Sequence, residues 1–97
     1  MQSLIEQAIR EKRLLKFTYS GHPRIVEPHV LGVNGGVTQF LGYQVDGSSS
    51  SGSIPAWRRF DIPRISGISI REGTFSGPRT FPSGKHSSWD NQIAIVS

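Results

Sequence analysis

The feature that most constrains the fold is the tripeptide Asn34-Gly35-Gly36, which separates two runs of alternating apolar residues. Asn-Gly and Gly-Gly pairs readily take the positive φ angles of a two-residue hairpin turn. Residues 24–33 and 37–45 are therefore predicted to be adjacent antiparallel strands. Pro28 interrupts the first of them, and because proline has no backbone N–H to donate, this position indicates a sheet edge or a bulge. Apolar residues on both faces of the second strand indicate a bent strand that serves two sides of a barrel.

Three further strands are predicted from period-two alternation between turn signals. The first covers residues 15–19, and the other two cover residues 56–62 and 65–71. The short corner between the last two, residues 61–64, has the length of one 3₁₀ turn. The serine- and glycine-rich residues 46–55 are predicted to be a long, flexible hairpin loop.

A helix is predicted over residues 3–13, because its apolar residues recur at helical spacing along one face. Ser3 and Glu6 match a capping box, which predicts that the helix is capped at Ser3. Together these elements predict a mainly β protein. Its fold class is a small, SH3-like or Sm-like, bent antiparallel five-stranded barrel with one N-terminal α-helix.

The chain has 97 residues, which is enough for one small domain. We predict that residues 1–72 form the barrel domain with its N-terminal helix. Glycine and proline break up regular elements beyond that point. Residues 73–97 are predicted to be a C-terminal extension that packs on the same domain or adds a strand to it. Within it, the β-prone residues 93–96 either extend this sheet or pair with another chain.

The composition excludes several kinds of site. The chain contains no cysteine, so disulfides, zinc–thiolate centres and thiol catalysis are ruled out. No run of residues has the length and apolarity of a membrane span, and the N-terminus does not have the pattern of a signal peptide. These features predict a soluble, cytoplasmic protein without a membrane partner.

The charge balance favours an anionic partner. Eleven lysines and arginines stand against seven acidic residues, which gives a net charge of +4 and a pI near 10.1. Most of the cations are arginine, whose planar guanidinium suits bidentate contacts with phosphate and stacking on bases. A moderate positive charge favours a polyanion without requiring one.

Residues 57–65 concentrate this basic character in one predicted strand and its corner. Alternation places Arg58, Phe60 and Ile62 on one face. Two of these are core residues by type, so Arg58 is predicted at the rim, where its stem packs and its guanidinium reaches water or an anion. A proline then ends the strand in a turn that presents Arg64. This stretch is either an anion-binding edge or a strand whose arginines pair with acids or face solvent.

Four short patterns occur in the order and spacing of a known family. They are a tyrosine that ends the first strand, an Arg-x-x-x-Pro-x-x-Leu segment, an aromatic-leucine pair, and an Arg-x-Phe-x-Ile-x-Arg-Ile segment. The residues are, in order, Tyr19; Arg24, Pro28 and Leu31; Phe40 and Leu41; and Arg58, Phe60, Ile62, Arg64 and Ile65. Over residues 3–71 the chain thus resembles the WYL domain family. The signature is degenerate, because Gln39-Phe40-Leu41 stands where the family has its tryptophan-tyrosine-leucine triplet.

The resemblance implies an SH3-like or Sm-like barrel and a regulatory, ligand-sensing function. WYL domains are modules of bacteria and phages that usually follow a winged-helix DNA-binding domain. They act in transcription regulation, DNA-damage response, phage defence or CRISPR control, and their proposed ligands are nucleic acids or nucleotides held in a basic groove. This chain has no room for a helix-turn-helix before its first strand. We therefore expect a lone binding module, either a fragment of a longer regulator or a free-standing accessory.

The predicted ligand-binding residues come from the resemblance and from position. The resemblance implies four groove residues, position adds one aromatic for base stacking, and two weaker additions lie beside them. In that order they are Tyr19, Arg24, Arg58 and Arg64; Phe40; and His29 and Arg59. Core packing remains the alternative for both aromatic residues. For Arg24 the alternative is a cross-strand pair with Glu27 or Asp61.

Two other classes of function remain as alternatives. For an enzyme, His86 and Asp90 flank two serines, but nothing resembles a nucleophile elbow and no spacing fits a metal site. We predict no catalytic residue, no metal and no cofactor. The other alternative is a protein–protein interaction or homo-oligomerisation module that assembles through an edge strand. The expected partner of the basic groove is single-stranded nucleic acid or an oligonucleotide or nucleotide ligand.

Overall fold

A computed structural model describes residues 1–48, 54–79 and 89–97 of the chain. Its elements, in chain order, are α1 (Gln2–Glu11), β1 (Arg13–Tyr19), β2 (His22–Asn34), β3 (Val37–Gly47), β4 (Ala56–Asp61), a 3₁₀ turn (Ile62–Arg64), β5 (Ser66–Thr74) and β6 (Asn91–Ile95). Half of the predicted serine- and glycine-rich loop (residues 49–53) and the middle of the predicted C-terminal extension (residues 80–88) lie outside the described residues. Within the described part, no helix is both long and apolar enough to cross a bilayer.

The strands form one antiparallel sheet in the order β4-β3-β2-β1-β5, with β6 paired to β2 off this path. The mainly β class with one N-terminal helix is confirmed, and β6 adds a sixth strand to the five predicted. One edge of β2 is shared, because β1 pairs with its first half and β6 with its second half. The predicted irregularity at Pro28 is a bulge, since the register against β3 shifts between Pro28 and Val30.

The tight connections are those that local chemistry predicts. Gly35 and Gly36 have φ angles of 59° and 79° in the β2–β3 turn, as a primed hairpin turn requires. The 3₁₀ turn between β4 and β5 is also confirmed, with a proline in its first turn. It brings the chain from one end of the strand order to the other, since β4 and β5 are the two ends of that path.

Helix α1 covers one face of the sheet through Ile5, Ala8 and Ile9. Its predicted cap is wrong. The helix begins at Gln2 with Met1 as the N-cap residue, so Ser3 lies inside the first turn and no side chain caps the helix. The helix also ends early, at Lys12, which takes a left-handed conformation (φ 54°) that turns the chain into β1.

Three phenylalanines form the centre of the core. Phe17, Phe40 and Phe60 come from β1, β3 and β4 and are each at most 1% exposed. Their ring centroids are 5.0–5.7 Å apart in all three pairs. Such aromatic pairs stabilise a core beyond the area that they bury. Because β1 and β4 are not adjacent in the sheet, this contact holds the sheet in its curled form.

A second buried group lies beside the bulge of β2. His29 is fully buried, its Nε2 donates to Glu27 Oε1 at 3.2 Å, and its ring packs on Trp57 and Phe75. Glu27 is 5% exposed and also accepts two hydrogen bonds from Arg79, at 2.9 and 2.7 Å. Burial lowers the pKa of His29, and the hydrogen bond to Glu27 only partly opposes this. The folded protein therefore favours the neutral imidazole.

Phe60→Ala should lower the free energy of unfolding by about 3–5 kcal/mol, because it removes a buried ring from the contact that joins β1 to β4. Urea unfolding followed by circular dichroism measures this. Val37→Ala is the matched control at an exposed strand position, where a change within about 0.5 kcal/mol is expected. Equal losses for the two variants would contradict the central role of the phenylalanines.

Stability should fall as the pH drops below 6.5, the ordinary pKa of histidine. The unfolded chain then binds a proton at His29 that the folded protein resists, and stability decreases wherever the unfolded state holds more protons. The contribution is complete above 6.5 and is lost progressively toward the lowered folded pKa. His29→Gln, whose amide can still donate to Glu27, should flatten the pH dependence of the unfolding free energy.

The control for this pH dependence is His22→Gln, which removes a surface histidine that contacts Ser48. Urea unfolding of both variants between about pH 7 and about pH 5 gives the comparison. If His29→Gln and His22→Gln have the same slope, the buried ring does not set the acid sensitivity.

Candidate functional site

A basic pocket of about 290 Å³ opens where the end of β1 meets the free side of β4. Arg24, Arg58 and Arg59 line it, together with Trp57, Phe60, the last residue of β1 (Tyr19) and the turn residue after it (Ser20). Arg24 and Arg58 come from strands that are separated by β3 in the sheet. The curl of the sheet, fixed by the phenylalanine contact, is what brings them together. We call this site the arginine pocket.

Arg24 is the most buried charge of the pocket, with 5% of its surface exposed. Its Nη2 donates to the carbonyl oxygen of Tyr19 at 3.0 Å, and its Nη1 donates to Gln44 Oε1 at 3.3 Å. Both acceptors are uncharged. The buried Nε finds no acceptor among residues 1–48, 54–79 and 89–97. The guanidinium therefore has donor capacity left for another group.

The electrostatic environment of Arg24 is unfavourable to its charge. Burial lowers the pKa of Arg24, and the neighbouring Arg58 guanidinium lowers it further. Its Cζ lies over the rings of Tyr19 and Phe60, 5.4 and 5.7 Å from the centroids, which returns part of the lost solvation. An anion in the pocket would compensate both guanidinium groups at once.

The acids that the sequence offered as partners for Arg24 are engaged elsewhere. Glu27 binds Arg79, and Asp61 accepts a 2.6 Å hydrogen bond from Gln39. Within the described residues, the ion pairs are that of Glu27 with Arg79 and that of Arg13 with Glu11, and Glu27 also accepts the hydrogen bond from His29. The carboxylates on these strands thus do not neutralise the pocket.

Tyr19 belongs to the core and to the pocket at the same time. Its ring packs edge-on against Phe60, and its hydroxyl accepts a hydrogen bond from the backbone N–H of Asp61 at 3.1 Å. The exposed Arg64 places its Cζ 5.0 Å from the same ring centroid and donates to Ser20 Oγ at 3.1 Å. Tyr19 and Ser20, which both line the pocket, thereby hold Arg64 at its margin.

Arg59 lines the pocket but is anchored on the outer face of β4. Its Nη1 donates to Gln39 Oε1 at 3.3 Å, and its Cζ lies 4.0 Å from the ring centroid of Trp89. The structure thus brings together five of the seven predicted ligand-binding residues, namely Tyr19, Arg24, Arg58, Arg59 and Arg64. Arg59 and Arg64 stand at its margins.

Phe40 and His29 lie away from the pocket. Phe40 is fully buried against Phe17 and Phe60, so its ring presents no face to a ligand. His29 is fully buried in contact with Glu27 on the other side of β2 from Arg24. Core packing, the alternative that the sequence left open for Phe40, is what the structure has.

Two residues of this site were not predicted. Trp57 contributes to the pocket lining, although its ring packs on His29 and Tyr43 at the other face of the sheet. Its place next to Arg58 is the sequence signal that could have indicated it. Gln44 is fully buried, and its Oε1 accepts a hydrogen bond from Arg24 Nη1. It shares a strand face with Phe40, and a polar side chain at such an inward position indicates a buried polar contact.

The described residues do not bring together three or more metal-ligating side chains. His86 and the two serines beside it lie outside the described residues. The chemistry that the arginine pocket offers is binding: several guanidinium groups, an unused buried donor and the ring of Tyr19. A phosphate group, which takes several charge-assisted hydrogen bonds at once, fits these donors.

No family model matches the chain, and no curated protein matches it. Among solved structures, the chain is similar to part of Proteasome accessory factor B/C (PafBC) of Arthrobacter aurescens, with a TM-score of 0.67 and 25% sequence identity. The likeness covers 87% of this chain and 13% of that one, so the chain spans about 13% of the length of PafBC. PafBC is a WYL-domain-containing regulator. The likeness therefore supports a WYL-like relationship for this chain.

Proposed function

We propose that this chain is a ligand-sensing regulatory module that binds the phosphates of single-stranded nucleic acid or of a nucleotide in the arginine pocket. The regulatory part of the proposal is supported by the likeness to PafBC, a transcription regulator with a WYL domain. The ligand part is supported by the chemistry of the pocket. On this proposal the protein is an accessory of transcription regulation.

The observation that carries the proposal is the state of Arg24. It is 95% removed from solvent, the charge of Arg58 lowers its pKa, and its Nε has no acceptor within the described residues. Burying a charge without a countercharge is costly, and groups perturbed in this way cluster at functional sites. A phosphate oxygen would take the unused donor and reverse the repulsion from Arg58.

The aromatic side chain of the pocket favours a single strand over a duplex. The Tyr19 ring lies in the pocket beside the guanidinium groups of Arg24 and Arg64. A base can stack on such a side chain only when it is not already stacked inside a helix. Phosphate contacts by the arginines and stacking on a neighbouring ring are the two interactions that single-strand binders combine.

Binding should be measured by fluorescence anisotropy with labelled single-stranded DNA and RNA at several salt concentrations. The wild-type protein should bind, with log affinity falling by about 0.7 per unit of log salt for each phosphate contacted. Arg58→Ala combined with Arg64→Ala should weaken binding by about 100-fold or more, because each charge-assisted contact contributes about 1.5–3 kcal/mol. A free nucleotide is the competitor that shows whether the pocket takes a single phosphate-bearing unit.

The matched control for these variants is Arg10→Ala combined with Arg71→Ala. Both arginines are exposed and lie outside the pocket, and their removal takes away the same two positive charges. The control should keep nearly the full affinity. If the two double variants weaken binding equally, the loss of affinity comes from the change in net charge. The arginine pocket is then rejected as the binding site.

The protein–protein alternative has its own observation. β6 pairs with β2 through one edge, and within the described residues its other edge has no strand partner. Ile95 on this strand is 51% exposed. If the chain binds neither nucleic acid nor nucleotide, and its mass by light scattering rises with concentration, assembly through β6 replaces ligand sensing as the function.

A further inference from the structure

A second site lies on the opposite face of β2 from Arg24, where the sheet holds the side chain of Arg79. Both oxygens of the Glu27 carboxylate accept from this one guanidinium, Oε1 from Nε at 2.9 Å and Oε2 from Nη2 at 2.7 Å. The Cζ of Arg79 lies 3.9 Å from the ring centroid of Tyr43. A two-point carboxylate fork and an aromatic face are the contacts that distinguish a planar guanidinium from other cations.

The receiving side of this contact belongs to the rigid sheet. Glu27 and Tyr43 are directly paired across β2 and β3, and Tyr43 is paired in turn with Trp57 of β4. The buried His29 ring packs on Trp57 and hydrogen bonds to Glu27, which fixes the carboxylate from below. These residues would keep their arrangement whichever guanidinium they held.

The segment that carries Arg79 has no regular secondary structure. Residues 75–79, which we call the strap, form neither helix nor strand. Phe75 N–H donates to the carbonyl oxygen of Lys12 at 2.9 Å at one end of the strap. The Arg79 side chain at the other end is 41% exposed, and the strap and Glu27 together line an open cavity of about 250 Å³. The bound guanidinium is therefore reachable from solvent.

We propose that Glu27 and Tyr43 form a guanidinium-binding site, which the chain's own Arg79 fills and which accepts an arginine side chain of a partner protein when the strap is displaced. The site is separate from the arginine pocket, and its ligand is a cation instead of a phosphate. The tethered Arg79 acts at about a millimolar effective concentration, so free arginine well below that concentration does not displace it. An arginine of a partner segment displaces Arg79 only if the segment also makes further contacts with the protein. The strap therefore excludes partners that offer an arginine alone.

The test is chemical rescue of the full-length Arg79→Ala variant. Removing Arg79 leaves a buried carboxylate without its cation, so the thermal unfolding midpoint falls. Millimolar guanidinium chloride, far below denaturing concentrations, should then raise the midpoint of this variant in a saturable way. Sodium chloride at equal ionic strength should not raise it, because sodium has no planar pair of N–H donors. Urea at equal concentration should not raise it either, because urea is uncharged. In the wild-type protein guanidinium should give no such rise.

The double variant Glu27→Gln, Arg79→Ala is the control for the receiving carboxylate. It should show no rescue by guanidinium, whatever its own stability. If Arg79→Ala does not fold, Arg79→Lys replaces it, since its ammonium keeps the charge but not the fork, and guanidinium should still raise its midpoint. Rescue that is equal with sodium, rescue that survives in the double variant, or the lack of any rise overturns the proposal. No nucleic acid enters this experiment, so its outcome is independent of the proposed function.

Discussion

The structure depends on the contact among Phe17, Phe40 and Phe60. Strand pairing alone leaves β1 and β4 apart, with two strands between them. The three rings bridge that interval through the interior and hold the sheet curled, with the α1 face closing the core. Tyr19 extends this contact outward. Its ring packs on Phe60, and its hydroxyl accepts a hydrogen bond from the backbone N–H of Asp61, the last residue of β4. The arginine pocket exists only because this contact brings the end of β1 to the edge of β4.

The same contact explains how a cation is tolerated there. Arg24 lies over two aromatic rings and gives its hydrogen bonds to uncharged oxygens, so its charge is solvated by dipoles and π faces. A carboxylate partner would stabilise it more strongly but would also close the pocket to anions. Glu27, the acid nearest in sequence, is committed to Arg79 on the other side of β2. The two faces of one strand thus keep opposite charges apart.

Much of the fold follows from local sequence patterns, whereas the site follows from them only in part. Turn residues and alternation predicted five strands, the hairpin at Asn34, a sheet edge or bulge at Pro28 and the 3₁₀ turn, since each depends on neighbours in the chain. Phe40 could not be assigned, because β3 has apolar residues on both faces and alternation does not say which face is inward. The contact of Arg79 with Glu27 spans 52 residues and leaves no trace in either local sequence.

The division of β2 between β1 and β6 has a consequence for how the sheet assembles. The β1–β2 and β2–β3 hairpins are closed by short turns, so little chain entropy is lost when they form. β6 follows β2 only after a long stretch of chain, and the hydrogen bond beside it, from Gly35 N–H to the Asp90 carboxylate, joins residues 55 positions apart. We expect β6 to dock last in folding and to detach first in partial unfolding. The second half of β2 would then exchange its amide hydrogens faster than the first half, which makes one strand a boundary between an early-forming and a late-forming part of the domain.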